Sequence, residues 1–250
     1  MRSPATVLEQ LPGFAGAQVL AQLSNGPTNA SYEIGRDGER YVLRIDKPGA
    51  AAFGLDRTAE LEVIEALAVA GLGEHPLYYD AESGICLRTY MPGRSWTPED
   101  LRNPANLERL ATLLSRVHRL PPAGRTFDPV SAAARYSERL GTAEAREIYR
   151  DIERVFPTLE TARPALCHND LVHTNILESD PLMLIDWEWA GAGDPYFDLA
   201  IVVQHHELGR DLGNHFLAAY LGKEPAPAEW ERLERQCHFY KLILDLWKFL

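Results

Sequence analysis

The sequence predicts an α+β protein of two lobes, an N-terminal lobe built on an antiparallel sheet with one helix and a larger, helical C-terminal lobe. Three observations support this fold class. Short segments of alternating polarity, separated by turn residues, fill the first third of the chain. The sequence Met-Pro-Gly-Arg at 91–94 then breaks this pattern, and beyond it apolar residues recur at helical spacing. We therefore place the two lobes at residues 1–91 and 92–250.

The N-terminal lobe is predicted to begin as an antiparallel meander. Residues 18–23, 32–34 and 41–45 alternate in polarity, as strands with one buried face do. Turn-forming residues fill positions 24–29, and Arg-Asp-Gly-Glu at 36–39 is typical of a tight hairpin turn. The first three strands are therefore expected to pair in chain order.

One helix is predicted in this lobe, over residues 57–70. It would place Leu61, Ile64 and Leu67 on one side, and it would end near Gly71, a residue type that is common just after helix ends. The remaining strands of the lobe are predicted at residues 77–79 and 85–90.

The C-terminal lobe is predicted to be mainly helical. Asn103 followed by Pro104 has the pattern of a helix N-cap and first helical residue. Residues 132–156 indicate one helix or two, because Gly141 interrupts their pattern, and residues 165–189 indicate short strands and loops. An apolar helix start is expected at 199–206. The apolar residues of the first and last predicted helices are Leu107, Leu110, Ala111, Leu114 and Val117, and then Trp230, Leu233, Cys237, Tyr240, Leu244 and Trp247.

The composition narrows the classes of function. Acidic residues outnumber basic residues by 36 to 25, and the formal net charge of −11 disfavours nucleic acid and anionic membranes as partners while favouring a cationic ligand. Three distant cysteines indicate free thiols in a reducing compartment. The sequence has neither a signal-peptide pattern nor an apolar run of about 20 residues. We therefore expect a cytoplasmic protein without membrane insertion.

Oxygen-bearing side chains are concentrated in one motif, His-Asn-Asp-Leu-Val-His-Thr-Asn at 168–175 followed by Ile-Asp-Trp-Glu at 185–188. Asp170, Asn175 and Asp186 suit Mg²⁺, which prefers oxygen ligands, and the histidine spacing is not a usual zinc pattern. Their order and spacing are those of enzymes that transfer a phosphoryl group from ATP. In that chemistry Asp170 accepts the proton of the acceptor hydroxyl, and Asn175 and Asp186 hold Mg²⁺.

A nucleotide also needs donors for its phosphates. Small residues in the turn at 24–29 would let backbone N–H groups approach the phosphates, although such a turn taken alone is more often an ordinary hairpin. Arg44 lies on the third strand, where its guanidinium could pair with phosphate while Glu60 holds it in place. Arg44 and Glu60 taken alone would be an ordinary surface pair. The residues predicted to bind the nucleotide are Asn25, Gly26, Thr28, Asn29, Arg44 and Glu60.

The chain resembles the choline/ethanolamine kinase and aminoglycoside phosphotransferase superfamily, particularly the small bacterial choline kinases and the thiamine kinases. The resemblance extends over most of the chain and is most specific around Asp170 and Asp186. It implies a protein-kinase-like fold, a catalytic Asp170, magnesium ligands Asn175 and Asp186, and a loop-supporting role for Asp198. The segments that carry it are residues 23–32, 41–45, 56–60, 166–177, 184–191 and 194–200.

The same resemblance implies that aromatic residues in the C-terminal helices surround a quaternary ammonium group. Asp-Leu-Trp at 245–247 resembles the start of that segment, and proteins of this kind normally continue past the position of Leu250. Trp247 is therefore expected to contact the substrate. Glu188 and Asp194, close to the predicted metal ligand Asp186, could each face the positive charge of the substrate or cap a turn, and Glu188 is the one predicted to bind the substrate.

We therefore expect an ATP-dependent kinase that phosphorylates a hydroxyl of a small molecule, with choline or a similar cationic alcohol as the preferred acceptor. Thiamine, an aminoglycoside or another sugar is the alternative acceptor. A different alternative is a catalytically silent nucleotide-binding protein of the same fold. The intact set of Asp170, Asn175 and Asp186 argues against a silent protein. The sequence leaves the oligomeric state and the choice between ATP and GTP open.

Overall fold

The computed structural model describes residues 2–159 and 163–248. The chain separates into two compact units, Met1–Pro92 and Gly93–Leu250. The outer ends of the two predicted lobes, at residues 1 and 250, lie outside the described residues. The assignment of nucleotide binding to one lobe and of catalysis to the other stays a prediction.

The described part of the first unit is an antiparallel sheet with two helices. Its elements are α1 (Pro4–Gln10), β1 (Gln18–Asn25), β2 (Asn29–Arg36), β3 (Glu39–Asp46), α2 (Arg57–Val69), β4 (Tyr78–Asp80) and β5 (Ile85–Thr89). The strand order is β1-β2-β3-β5-β4, so the predicted meander is confirmed. Asp37 and Gly38, at φ of 52° and 83°, form the two-residue turn between β2 and β3. Tight antiparallel hairpins favour positive φ at both positions, which confirms the predicted hairpin.

Helix α1 was not predicted from the sequence, although its start carries a recognisable signal. Ser3 caps the helix by accepting a hydrogen bond from the Thr6 N–H at 3.2 Å, and Pro4 is the first helical residue. Val7 and Leu8 of this helix pack into the core beneath the sheet. The helix therefore covers one apolar face of the sheet that would otherwise meet water.

The buried face of α2 is partly ionic. Leu67 is buried, but Leu61 and Ile64 are only half-buried, and the charged Arg57 and Glu60 are buried instead. The apolar spacing did not indicate Arg57, which this helix turns together with the predicted Glu60 toward ionic partners on the sheet.

The second unit is mainly helical. Its described helices are α3 (Pro104–Val117), α4 (Pro129–Leu140), α5 (Ala143–Val155), α6 (Pro195–Ala200), α7 (Gly209–Leu221) and α8 (Pro227–Trp247). Its short strands are β6 (Arg94–Ser95), β7 (Ala165–Cys167), β8 (Ile176–Glu178), β9 (Met183–Leu184) and β10 (Gly191–Gly193). They form a β10-β7 pair and a β6-β8-β9 sheet, which hold the segment with the oxygen-donor motif. Among the described residues, no helix combines the length and apolar character that crossing a membrane requires.

Most helix signals in the second unit are confirmed. The Asn103 side chain accepts from the Ala105 N–H at 3.0 Å, and the five predicted apolar residues of α3 are buried. Gly141, at φ 65°, ends α4 and separates it from α5. The helix predicted to start within 199–206 is present but begins four residues earlier, at Pro195. Asp194 and Pro195 form the cap and first residue of α6, which then widens into a π-helical segment, Ile201–His205.

Candidate active site

The predicted phosphate-binding turn joins β1 to β2. Asn25 is exposed and Gly26 is half-buried, whereas Thr28 and Asn29 are only 3% and 7% exposed. Lys47, which the sequence pattern did not indicate, fixes the turn: its Nζ donates to the Gly26 carbonyl at 2.5 Å and its N–H to the Thr28 carbonyl at 2.8 Å. The side chain and the backbone of Lys47 therefore hold two carbonyl groups of the turn in place. The nucleotide-binding role of its four predicted residues remains a prediction.

Arg44 and Glu60 form a bidentate ion pair, as predicted. Arg44 Nη1 and Nη2 donate to Glu60 Oε1 and Oε2 at 2.5 and 2.8 Å. Arg57 extends the network, because it donates to Glu60 Oε2 at 2.7 Å and makes two bonds of 2.7 and 2.8 Å to Asp46. The Tyr79 hydroxyl lies 2.8 Å from Glu60 Oε2. Two guanidinium groups and two carboxylates thus balance each other in the interior of the first unit.

The electrostatics of this network keep Glu60 ionised. Burial alone would raise the pKa of Glu60, but the guanidinium groups of Arg44 and Arg57 lower it to about 2. Each terminal nitrogen of Arg44 carries two hydrogens, and one bond from each goes to Glu60. One hydrogen on each nitrogen is not used in this pair, so Arg44 can be held by Glu60 and still donate to a phosphate.

A buried carboxylate supports the loop that follows β7 in the second unit. Asp198 Oδ2 and Oδ1 accept the backbone N–H groups of His168 and Asn169 at 2.8 and 2.7 Å. The supporting position expected for Asp198 is therefore present. His118 Nε2 lies 3.0 Å from the same carboxylate, and His118 Nδ1 lies 2.9 Å from the Tyr220 hydroxyl. Asn169 has a φ of 64°, an unfavourable backbone conformation that these contacts stabilise.

Two of the three predicted oxygen donors, Asp170 and Asn175, are joined by hydrogen bonds, and the backbone beside the third, Asp186, is bonded to the same loop. Asn175 Nδ2 donates to the carbonyl and to Oδ2 of Asp170 at 2.8 and 3.1 Å. The Ile185 N–H donates to the Asn175 carbonyl at 3.0 Å, and His168 Nε2 donates to the Ile185 carbonyl at 2.9 Å. Asp186 follows at once, with a φ of 66°. Ile185 therefore ties Asp186 to the loop that carries Asp170 and Asn175.

Asp170 has an unusual electrostatic environment. Burial, followed by the negative charges of Asp186 and Glu188, raises the pKa of Asp170 to about 7. The hydrogen bond from Asn175 opposes this change but does not cancel it. Groups with strongly displaced pKa values concentrate at functional sites, so the environment of Asp170 marks it as the centre of the candidate site.

A cavity of about 300 Å³ opens beside Asp170. Trp247, 37% exposed, lies at its edge, and its ring centroid is 5.4 Å from that of Tyr136. Glu188 is buried and does not line this cavity, although its charge acts on Asp170. The residues most relevant to a ligand are Asp170, Tyr136, Phe197, His205, Tyr240 and Trp247.

Five Phe, Tyr and Trp residues of this cavity were not predicted as site residues: Phe127, Tyr136, Trp189, Phe197 and Tyr240. Tyr240 lies on α8 seven residues before Trp247, with Leu244 between them, so the three share one face of the helix and all line the cavity. That spacing was a usable signal. Tyr136 comes from α4, more than 100 residues away in sequence, and no local pattern connects it to Trp247.

A carboxylate with a raised pKa, close to further carboxylate and amide oxygens and beside an aromatic cavity, is an arrangement suited to phosphoryl transfer. The chain belongs to the phosphotransferase enzyme family, whose family model matches residues 19–234.

Two curated proteins are similar to most of the chain. Protein LicA of Haemophilus influenzae is 28% identical over 207 residues, which cover 78% of this chain and 60% of that protein. A probable ethanolamine kinase of Arabidopsis thaliana is 25% identical over 249 residues, which cover 90% of this chain and 62% of that protein. The chain thus spans about three fifths of the length of these two relatives.

A solved structure matches the fold. The choline kinase LicA from Streptococcus pneumoniae has a TM-score of 0.77 to this chain at 22% identity, and the match covers 93% of this chain and 85% of that one. The predicted α+β, protein-kinase-like fold is therefore confirmed.

Proposed function

We propose that this protein is an ATP-dependent kinase that transfers the γ-phosphoryl group to the hydroxyl of choline or a similar cationic alcohol. The observation that carries this proposal is the aromatic cavity that contains Asp170 in its lining. The names of the similar proteins, a choline kinase and a probable ethanolamine kinase, support it. A cytoplasmic location, inferred from the cysteine content, belongs to the same proposal.

The chemistry of the cavity favours a quaternary ammonium group. Such a group has no N–H to donate, and the faces of aromatic rings attract it. Tyr136, Tyr240 and Trp247 supply three rings. A primary ammonium needs several hydrogen-bond acceptors and an aminoglycoside needs many polar partners, whereas the lining is mainly aromatic and aliphatic. A volume of about 300 Å³ also lies at the lower end of the range for ligand cavities, which suits a small acceptor.

The oxygen donors fit a divalent cation. Burial, together with the negative charges of Asp186 and Glu188, raises the pKa of Asp170 to about 7, so three carboxylates interact here. Asn175 and Asp186 would hold Mg²⁺, which when bound neutralises charge on the phosphates. The amide nitrogen of Asn175 donates to Asp170, so its oxygen is the atom suited to a metal.

Each group of residues has a separate proposed role in the reaction. Asp170 would orient the acceptor hydroxyl and accept its proton, for which a pKa near neutrality is well suited. The aromatic rings would hold the ammonium group and exclude water from the cavity. In the first unit, Arg44 would pair with phosphate oxygens while Glu60 holds it, and backbone N–H groups near Asn25 and Gly26 would approach the phosphates. Thr28 and Asn29 would shape that turn.

The proposal is tested with a panel of acceptors and a coupled assay for ADP. Purified protein with ATP and Mg²⁺ is offered choline, ethanolamine, thiamine, an aminoglycoside and a neutral sugar alcohol. We expect the highest kcat/KM for choline. Turnover confined to the sugars would overturn the choline assignment, and tight binding of Mg-ATP without turnover of any acceptor would favour the silent alternative.

Trp247→Ala is expected to raise the KM for choline about tenfold with a smaller effect on kcat. The reason is loss of one ring from the ammonium site, since a desolvated cation–π contact is worth about 1–2 kcal/mol. Steady-state kinetics with choline measure the change. Phe156→Ala is the matched control, because Phe156 is also 37% exposed but does not line the cavity. Equal KM values for the two variants would remove Trp247 from the substrate site.

His118→Ala is expected to lower kcat about tenfold while leaving the KM for ATP nearly unchanged. His118 bonds Asp198, whose carboxylate accepts the backbone N–H groups of His168 and Asn169. Loss of His118 would therefore loosen the position of Asp170. His118→Gln keeps a donor toward Asp198 and should restore part of kcat. A variant that loses thermal stability but keeps full kcat would show a purely structural role.

A further inference from the structure

Three imidazoles converge outside the triad of oxygen donors. His173 lies in the turn that leads to Asn175, and His205 and His206 lie at the end of the π-helical segment after α6. One ring nitrogen from each histidine lies within 4.8 Å of the other two. The ring centroids are 4.9, 5.5 and 6.5 Å apart, with interplanar angles of 46–75°, so the rings surround a common point and are not stacked.

The hydrogen bonds of these rings engage the Nδ1 atoms of two of them. His206 Nδ1 donates to the Val202 carbonyl at 2.9 Å, which fixes the tautomer with a lone pair on Nε2. His205 Nδ1 lies 2.9 Å from the Tyr240 hydroxyl. His173 Nδ1 is buried and has no hydrogen-bond partner among the described residues. A histidine whose outer nitrogen is held by a carbonyl or a hydroxyl is the usual arrangement of a metal ligand.

We propose that His173, His205 and His206 form a binding site for Zn²⁺, with water as the fourth ligand. Three histidines and a water are an established zinc coordination set. With Zn–N bonds of about 2.0–2.1 Å, the nitrogens of a tetrahedral site lie about 3.3 Å apart. The three ring nitrogens are now at most 4.8 Å apart. Side-chain rotations that shorten these distances by up to about 1.5 Å would therefore bring them to the spacing of a zinc site.

The protonation of the cluster is compatible with a metal. Burial lowers the pKa of His206 to about 4 and also lowers the pKa of His205, so both rings are neutral at pH 7. The positive charges of Arg102 and Lys248 act on these rings and oppose a bound cation. We therefore expect an affinity in the micromolar range and not the much tighter binding of a structural zinc site.

A metal ion bound to the three histidines would affect the oxygen-donor motif by displacing one hydrogen bond. The backbone N–H of His173 donates to His206 Nε2 at 3.1 Å, and a metal on that nitrogen would displace it. His173 begins the short turn that ends at Asn175, so the displacement would shift the predicted magnesium ligand. Zn²⁺ at this site would therefore lower kinase activity. This second step rests on the proposed function, whereas the binding step does not.

The binding step is tested with Co²⁺ and Zn²⁺ on the full chain in the presence of excess Mg²⁺, which occupies the oxygen donors. Co²⁺ should give the visible absorption bands of tetrahedral coordination, and Zn²⁺ should abolish them at one equivalent. His173→Ala and, as a second variant that keeps the ring volume, His205→Phe should each weaken Zn²⁺ binding at least about tenfold. His75→Ala is the matched control, since His75 is an exposed histidine of the first unit. Cys237→Ser tests for binding through the partly exposed thiol.

Two results would overturn the site: no tetrahedral Co²⁺ spectrum, or Zn²⁺ affinity that is unchanged in both cluster variants. Affinity lost only in Cys237→Ser would place the metal elsewhere. The activity step is tested by titrating Zn²⁺ into the ADP assay, where His173→Ala should need at least about tenfold more Zn²⁺ for half-inhibition. If the protein turns over no acceptor, the spectra still decide the binding step, and failure of the kinase proposal is thereby separated from failure of the zinc site.

Discussion

Asp170→Asn is expected to lower kcat for the preferred acceptor about 1000-fold, in the range that removal of a general base produces. The Asn side chain cannot take the hydroxyl proton, yet its oxygen can still accept the bond from Asn175 Nδ2. The loop should therefore keep its conformation. Binding of Mg-ATP, measured by calorimetry, should change by less than about tenfold, because Asp170 is not one of the proposed metal ligands.

A stability measurement separates catalysis from folding in this variant. The pKa of Asp170 is raised to about 7, so ionisation of this carboxyl in the folded protein costs free energy that is fully present above pH 7. Removing the charge should leave the thermal midpoint at pH 8, without divalent cations, equal to or above that of the wild type. Asp151→Asn, on the exposed surface of α5, is the control and should keep full kcat. A stable Asp170→Asn variant with kcat within tenfold of the wild type would contradict the assignment of the base.

The sequence indicated Asp170, Asn175 and Asp186 as one group of oxygen donors, but it did not indicate the contacts that position them. Asp170 and Asn175 are five residues apart, and a short turn suffices to bring their side chains into contact. Asp186 is eleven residues beyond Asn175, and its position depends on the two backbone bonds of Ile185. Because any apolar residue could supply those N–H and carbonyl groups, no side-chain pattern in the sequence indicates them.

The contacts between distant elements were least predictable. His118 and Asp198 are 80 residues apart, and the hydrogen bond between them is visible only after α3 and α6 have packed. The burial of Arg57 on α2 was missed for a related reason. Glu60 was predicted to pair with Arg44, but no pattern indicated that Arg57 would contact Asp46 on β3, although the three-residue spacing of Arg57 and Glu60 is that of an ion pair within a helix.

That ionic network carries the largest expected effect on stability. Glu60→Gln should lower the free energy of unfolding by about 3 kcal/mol, the lower end of the range for breaking a buried ion pair from one side. The neutral amide would leave the buried guanidinium groups of Arg44 and Arg57 without the carboxylate that balances them. Urea unfolding at pH 7, followed by circular dichroism, measures the change. Glu62→Gln is the matched control, since Glu62 lies exposed on the same helix and should change stability by less than about 0.5 kcal/mol.

The pH dependence of the same pair of variants tests the cause. The folded-state pKa of Glu60 is about 2, below its ordinary value of 4.5, so its contribution is complete above pH 4.5 and is lost as the pH falls toward 2. The wild type and Glu62→Gln should therefore lose stability more steeply than Glu60→Gln over that interval. Parallel curves for all three proteins would mean that Glu60 acts through packing alone. In that case Arg44 would be held by its surroundings without the carboxylate, and the ion pair could not be what prepares it to bind phosphate.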